Sequence, residues 1–162
     1  GAVKVSYVIG LGEYIISRNP KDILKILGLS SCVGLYIYCR KKKMLGMAHI
    51  VLPSSTIYKH ERGFNPVKYA DTAIEEMLKI FCCKGGCRHQ ENLEIRIYGG
   101  IDSGTGDFFR IGEKNREIVR NELIRRGLRF DESETGGHSI RTIIAKVGDG
   151  SISIIKRTVD RA

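Results

Sequence analysis

The chain has 162 residues, of which 42% are hydrophobic and 28% charged, with 27 Lys and Arg against 18 Asp and Glu for a formal charge of +9. That length supports one compact domain over residues 1–162 with a core of its own, and no apolar stretch approaches the roughly 20 residues of a membrane-spanning helix, which argues against membrane insertion. The five cysteines are an odd count, no secretory segment opens the chain and no Asn-x-Ser/Thr acceptor occurs, so the expectation is a reducing cytoplasm and no disulfide framework.

Residues 4–9 and 13–17 read as short strands separated by Gly10-Leu11-Gly12, and residues 22–29 lead into a cysteine segment. Residues 32–39 form an apolar run rich in β-branched and aromatic side chains, and residues 45–52 follow after the basic tetrad Arg40-Lys41-Lys42-Lys43. The pattern predicts a hairpin with the tetrad at its tip. Antiparallel pairing then brings Cys32, at the start of the first strand, within about one or two residues of register with His49, near the end of the second. Asn65-Pro66 offers an N-cap and a first-turn proline, after which Ala70, Ala73, Ile74, Met77, Leu78 and Phe81 follow helical spacing up to Gly85-Gly86. A strand over 93–98 ends at Gly99-Gly100, a glycine-rich loop reaches Gly106, and a second helix covers about 113–126 with Gly127 as its stop. Residues 139–147 and 151–156 flank Gly148-Asp149-Gly150 as a second hairpin. The fold class is α+β, one α/β sandwich of mixed or antiparallel sheet with two long helices.

Cysteine and histidine across a hairpin make a nucleophile and its base. Cys32 sits among the small residues Gly28, Ser30, Ser31 and Gly34. That crowding permits a tight turn whose backbone N–H groups, in the vicinity of Ser30 and Ser31, face a substrate oxygen as an oxyanion hole requires. Alone, either residue would read as an ordinary buried side chain; together they raise the chemical reading.

Other motifs carry less. Cys82-Cys83-Lys84-Gly85-Gly86-Cys87-Arg88-His89 offers soft ligands at the wrong spacing for a zinc knuckle and reads better as a frayed helix end with reducible surface thiols. Gly10-Leu11-Gly12 lacks the third glycine of a dinucleotide fingerprint, and Gly104-Thr105-Gly106 lacks the Gly-Lys-Ser/Thr of a phosphate loop. The positive charge suggests an acidic partner. Tyr36, Tyr38, Tyr58, Tyr69 and Tyr98 are not interleaved with basic residues as a stacking surface would need, which argues against nucleic acid. His60, His89 and His138 fall in loops.

Several segments, in order, carry a resemblance: Leu27-Gly28-Leu29-x-Ser31-Cys32-Val33, Met47-Ala48-His49-Ile50-Val51-Leu52-Pro53, Lys68-Tyr69-Ala70-Asp71-Thr72-Ala73, Gly99-Gly100, Ile111-Gly112-x-x-Asn115 and Thr135-Gly136-Gly137-x-x-x-Arg141. The chain resembles the CheD family of chemoreceptor glutamine deamidases. The resemblance implies a fold similar to the catalytic domain of cytotoxic necrotizing factor toxins and deamidation of glutamines on methyl-accepting chemotaxis receptors. It also implies regulation by a CheC-like phosphatase. A cysteine–histidine thioester route needs no metal or organic cofactor. Cys32 matches the family nucleophile and His49 its base. Members usually place a threonine six residues before the cysteine, where it helps hold the histidine; here that position is Ile26, and the usual Gly-Ser-Cys is Ser30-Ser31-Cys32. A backbone carbonyl, Ser30, Ser55 or Thr56 is left to orient the imidazole. The competing expectation is a catalytically weak module that binds a receptor or a CheC-like partner.

Overall fold

The computed structural model describes residues 4–87, 92–104 and 108–159. Among these lie strands β1 (Ser6–Val8), β2 (Tyr14–Ser17), β3 (Ile23–Leu29), β4 (Val33–Cys39) and β5 (Met44–Ile50), helix α1 (Ala70–Lys79), strand β6 (Leu93–Gly99), helix α2 (Ile111–Arg125), and strands β7 (Asp131–Thr135), β8 (Ser139–Lys146) and β9 (Ile152–Thr158). They build two sheets, ordered β1-β3-β8-β9 and β2-β5-β4-β6-β7. The β1–β3 and β6–β7 pairs are parallel and the others antiparallel. The expected α+β architecture of mixed sheets and two helices is therefore present.

The β4–β5 hairpin occupies the middle of the five-stranded sheet, and that sheet is the middle of three layers. Val33, Leu35, Ile37 and Ile50 pack on one side against Ile74 and Met77 of α1 and Val119 and Leu123 of α2. Tyr36, Tyr38, Leu45 and Met47 pack on the other side against Leu24, Ile26, Leu29 and Ile143 of the four-stranded sheet. Every residue of β4 and β5 is buried. Both strands accordingly read as continuous apolar runs, because a strand covered on both faces has no solvent side to alternate with. In α1 the buried Ala70, Ala73, Ile74, Met77 and Leu78 recur at helical spacing. The buried stripe of α2 is narrower, Gly112, Asn115, Val119 and Leu123. A Cβ added at Gly112 would lie 2.1 Å from the Ile101 carbonyl oxygen, so glycine there lets the first turn of α2 close on the loop after β6.

Three expectations need correction. Asn65 caps a short 3-10 turn, Pro66–Lys68, by accepting from the Val67 N–H at 3.0 Å, and α1 itself begins at Ala70. Strand β7 had no counterpart in the pattern, since Asp-Glu-Ser-Glu-Thr shows no apolar alternation. It forms as an edge strand parallel to β6. The third concerns the cysteines: Cys39 and Cys87 are joined by a disulfide, and both are buried. An odd count speaks against a framework of bridges but not against one bond. The chain after α1 turns back over the end of β4, with the Cys87 N–H on the Phe81 carbonyl at 3.1 Å. Cys82 is half-buried and Cys83 exposed, both as free thiols. His89, in the same motif, and Thr105 and Gly106 lie outside the described residues. No helix among those described is long and apolar enough to cross a membrane.

Candidate active site

The hairpin register places Gly34 directly opposite His49 and Val33 opposite Ile50. Cys32 lies one residue before β4, two residues from Gly34. It packs against the core between the two sheets. Carrying the register one residue past the start of β4 makes Cys32 and His49 diagonal neighbours on one face, a relation in which Cβ atoms lie roughly 7–8 Å apart. The expected register is observed. The space that a side chain at Gly34 would take is filled by Leu29 and Ile26, whose Cδ1 atoms would lie 2.8 and 3.2 Å from a Cβ there. Ile26 therefore forms part of the wall beside the pair.

The imidazole is held by the backbone. His49 Nδ1 lies 3.0 Å from the Ile9 carbonyl oxygen. A carbonyl can only accept, so Nδ1 carries the proton and Nε2 is left with a free lone pair. The same loop grips the histidine's main chain. Its N–H donates to the Glu13 carbonyl at 3.0 Å and its carbonyl accepts from the Gly12 N–H at 2.8 Å. The loop is closed by the Glu13 carboxylate, which accepts from the Gly10 N–H at 2.6 Å, and by Asn65 Nδ2, which donates to the Gly12 carbonyl at 2.8 Å. Gly10-Leu11-Gly12, which fails as a nucleotide fingerprint, belongs to the loop that grips the histidine's main chain, next to the Ile9 carbonyl that fixes its tautomer. Of the candidates for that task, the backbone carbonyl is the one present. Ser55 is committed to Asp71 through its N–H and its hydroxyl, and Thr56 hydrogen-bonds Ser54.

The turn before β4 is tied down at three successive carbonyls. Ser30 O accepts from the Ile101 N–H and Cys32 O from the Gly100 N–H, each at 2.9 Å. Ser31 O accepts from Asn115 Nδ2 at 2.9 Å. Gly99 has φ of +85°, and a Cβ there would sit 2.4 Å from Cys32 O, so both its conformation and its contact require glycine. Around this strap, Arg116 Nη1 donates to Gly100 O at 3.0 Å and to Asp102 Oδ1 at 2.9 Å, and Gly136 N–H donates to Gly99 O at 2.9 Å. Arg116 and the Gly137 N–H hold the Asp102 carboxyl below its usual pKa. The buried Arg141 donates to Glu134 and to the Gly136 carbonyl, each at 3.0 Å, steadying the glycine pair from behind.

Among the described residues no protein acceptor takes the N–H of Ser31 or of Cys32. Burial pushes the Cys32 thiol above its ordinary pKa, opposed in part by a hydrogen bond with Ser31. No hydrogen bond joins the thiol to His49 in the free protein. Burial therefore holds the Cys32 side chain toward the neutral thiol, on the same face as His49. No group of three or more metal-ligating side chains is present among the described residues, and Cys87 is engaged in its disulfide. A cleft of about 450 Å³ lined by Arg40, Glu94, Arg96, Arg129 and Asp131 lies at the tip end of β4 and β6, away from Cys32.

Sequence reasoning noted Asn115 only within a matched segment, without a role in the site, and missed Ile9 and Glu13. Asn115 left a signal, as the one polar residue on the buried stripe of α2. The Ile9 and Glu13 contributions are main-chain, and side-chain identity carries no trace of them.

A family model described as CheD chemotactic sensory transduction matches residues 51–156. Proteins named "Probable chemoreceptor glutamine deamidase CheD" match over nearly the whole chain. The one from Pyrococcus horikoshii is 35% identical over 93% of this chain and 91% of its own length, and the one from Geobacillus kaustophilus is 36% identical over 90% and 89%. Among solved structures, the Bacillus licheniformis hypothetical protein YfiH matches with a TM-score of 0.45 at 10% identity, covering 83% of this chain and 59% of that one. With the family model spanning most of the chain and relatives above 30% identity along nearly all of it, the chain belongs to the CheD family.

Proposed function

We propose that this protein deamidates glutamine side chains on the cytoplasmic, helical signalling region of methyl-accepting chemotaxis receptors. The observation that carries the reading is a cysteine and a histidine on one face of a buried hairpin, with the histidine proton fixed on Nδ1 by the Ile9 carbonyl. The relatives' names give the substrate class. As Cys32 Sγ attacks the carboxamide carbon, its proton passes to His49 Nε2. The carbonyl oxygen becomes an oxyanion facing the N–H groups of Ser31 and Cys32. Collapse breaks the C–N bond, His49 returns the proton to the departing nitrogen, and ammonia leaves a thioester. Water deprotonated by Nε2 then attacks the thioester, and cleavage of the C–S bond releases glutamate and the thiol. Glutamine and water have become glutamate and ammonia, and the sequence of steps requires no metal or organic cofactor. A glutamate methyl ester would be cleaved by the same thioester route.

The formal charge of +9 suits an acidic receptor region through steering, which salt would weaken. A CheC-like phosphatase as a competing partner goes with the family resemblance. The alternative, a catalytically weak module that binds a receptor or a CheC-like partner, rests on Ile26 standing in place of threonine; against it, the Ile9 carbonyl lies 3.0 Å from His49 Nδ1 as an acceptor.

The test is to incubate the protein with a glutamine-bearing receptor cytoplasmic fragment and weigh the tryptic peptides. A gain of about one mass unit at particular glutamines, absent with Cys32→Ala, is expected. Binding without any mass gain would replace the deamidase reading with the binding module.

A further inference from the structure

Asn115 is fully buried on α2 and donates both protons of its amide: to the Ser31 carbonyl at 2.9 Å and to the Val51 carbonyl at 2.9 Å. Ser31 immediately precedes the cysteine and Val51 follows the histidine by two residues, so one side chain spans both halves of the pair. Its Oδ1 is buried and accepts no hydrogen bond among the described residues. A buried acceptor without a partner is unfavourable, and a leucine of similar size would fill the site without that defect. The amide is thus retained for its two donated bonds.

What those bonds fix follows from peptide geometry. The Ser31 carbonyl and the Cys32 N–H belong to one planar trans peptide unit and point in opposite directions. Holding the carbonyl toward α2 aims the Cys32 N–H away from α2, where no protein acceptor meets it. We infer that Asn115 is a positioning residue that orients the Cys32 N–H as the oxyanion donor and locks the nucleophile turn to the histidine strand. The inference rests on Cys32 being acylated as in the proposed function, but not on the identity of the acyl donor.

Two reactions at Cys32 separate this role from general support of the fold. Alkylation by iodoacetamide is a direct displacement with no oxyanion, whereas acetylation by p-nitrophenyl acetate passes through one. Both are followed by the mass of the Cys32 peptide, which excludes Cys82 and Cys83. Asn115→Ala should slow acetylation about tenfold or more, in line with loss of an oxyanion donor, while alkylation stays within about twofold. Val119→Ala, buried on the same helix stripe but touching neither carbonyl, should keep both rates. Asn115→Leu keeps the volume, removes both donors and adds no buried polar atom, so it must show the same selective loss even if the alanine variant folds poorly. The inference is overturned if acetylation falls no further than in Val119→Ala, or if alkylation and acetylation fall together. These reactions need no receptor. A protein with the Asn115 dependence but no deamidation would sink the deamidase reading alone, and normal deamidation with an unchanged ratio of the two rates would sink this inference alone.

Discussion

Replacing Ile26 with threonine restores the residue usual in the family, and the structure gives a definite expectation for it. Ile26 is buried, and its Cδ1 packs over Gly34, the residue opposite His49. Threonine removes two carbons, at ~0.8 kcal/mol each. It also leaves a buried hydroxyl, costing about 1–3 kcal/mol where no partner meets it. The sum is about 2.5–4.5 kcal/mol, or a fall in Tm of about 5–18 °C for a domain of this length. Turnover should not rise, because His49 Nδ1 already donates to the Ile9 carbonyl at 3.0 Å. Thermal unfolding and steady-state deamidation, measured on the same preparation, read the two effects. A tenfold gain in kcat would refute the reasoning, since it would mean that the carbonyl does not orient the imidazole.

Opening the Cys39–Cys87 disulfide releases a loop with a sequence separation of 48, and Cys39→Ser should destabilise the protein by about 4 kcal/mol while leaving kcat alone, because Cys39 ends the strand that Cys32 precedes. A Tm indifferent to reductant would contradict this. Gly99→Ala forces a Cβ to within 2.4 Å of Cys32 O at a φ of +85°, and if Cys32 acts as proposed, displacing its turn by even about 1 Å should cost about 100-fold in kcat; retention of most activity would show that the strap does not set the cysteine. Because burial raises the Cys32 thiol pKa, its thiolate fraction at neutral pH is reduced and its alkylation rate should climb with pH to a midpoint above that of an unstructured cysteine peptide. A midpoint below the peptide's would mean that the resting pair is thiolate and imidazolium instead.

The central hairpin was legible because both its strands are covered on two faces, so their apolar runs and the basic tip between them marked register as well as existence. Cys32 and His49 followed from that register. Strand β7 was not legible: an edge strand of Asp, Glu, Ser and Thr is held by its ladder to β6 and by ion pairs such as Glu134 with Arg141, not by an apolar face. The disulfide was missed because Cys39 and Cys87 meet only when the chain after α1 folds back over β4, a tertiary event with no local signature. The histidine's acceptor was hidden for a related reason. Any residue at position 9 presents a carbonyl, so Ile26 drew attention to a missing side chain while the backbone of a glycine-bounded loop supplied the bond.

The covalent intermediate tests the central claim most directly. Wild-type protein mixed with a glutamine-bearing receptor fragment and quenched in acid within a turnover should carry an adduct on the Cys32 peptide, equal in mass to the fragment less ammonia and released by hydroxylamine. It should be absent in Cys32→Ala, and it should accumulate in a variant slowed at hydrolysis. Deamidation that persists in Cys32→Ala, or an adduct that maps to Cys82 or Cys83, would contradict the account.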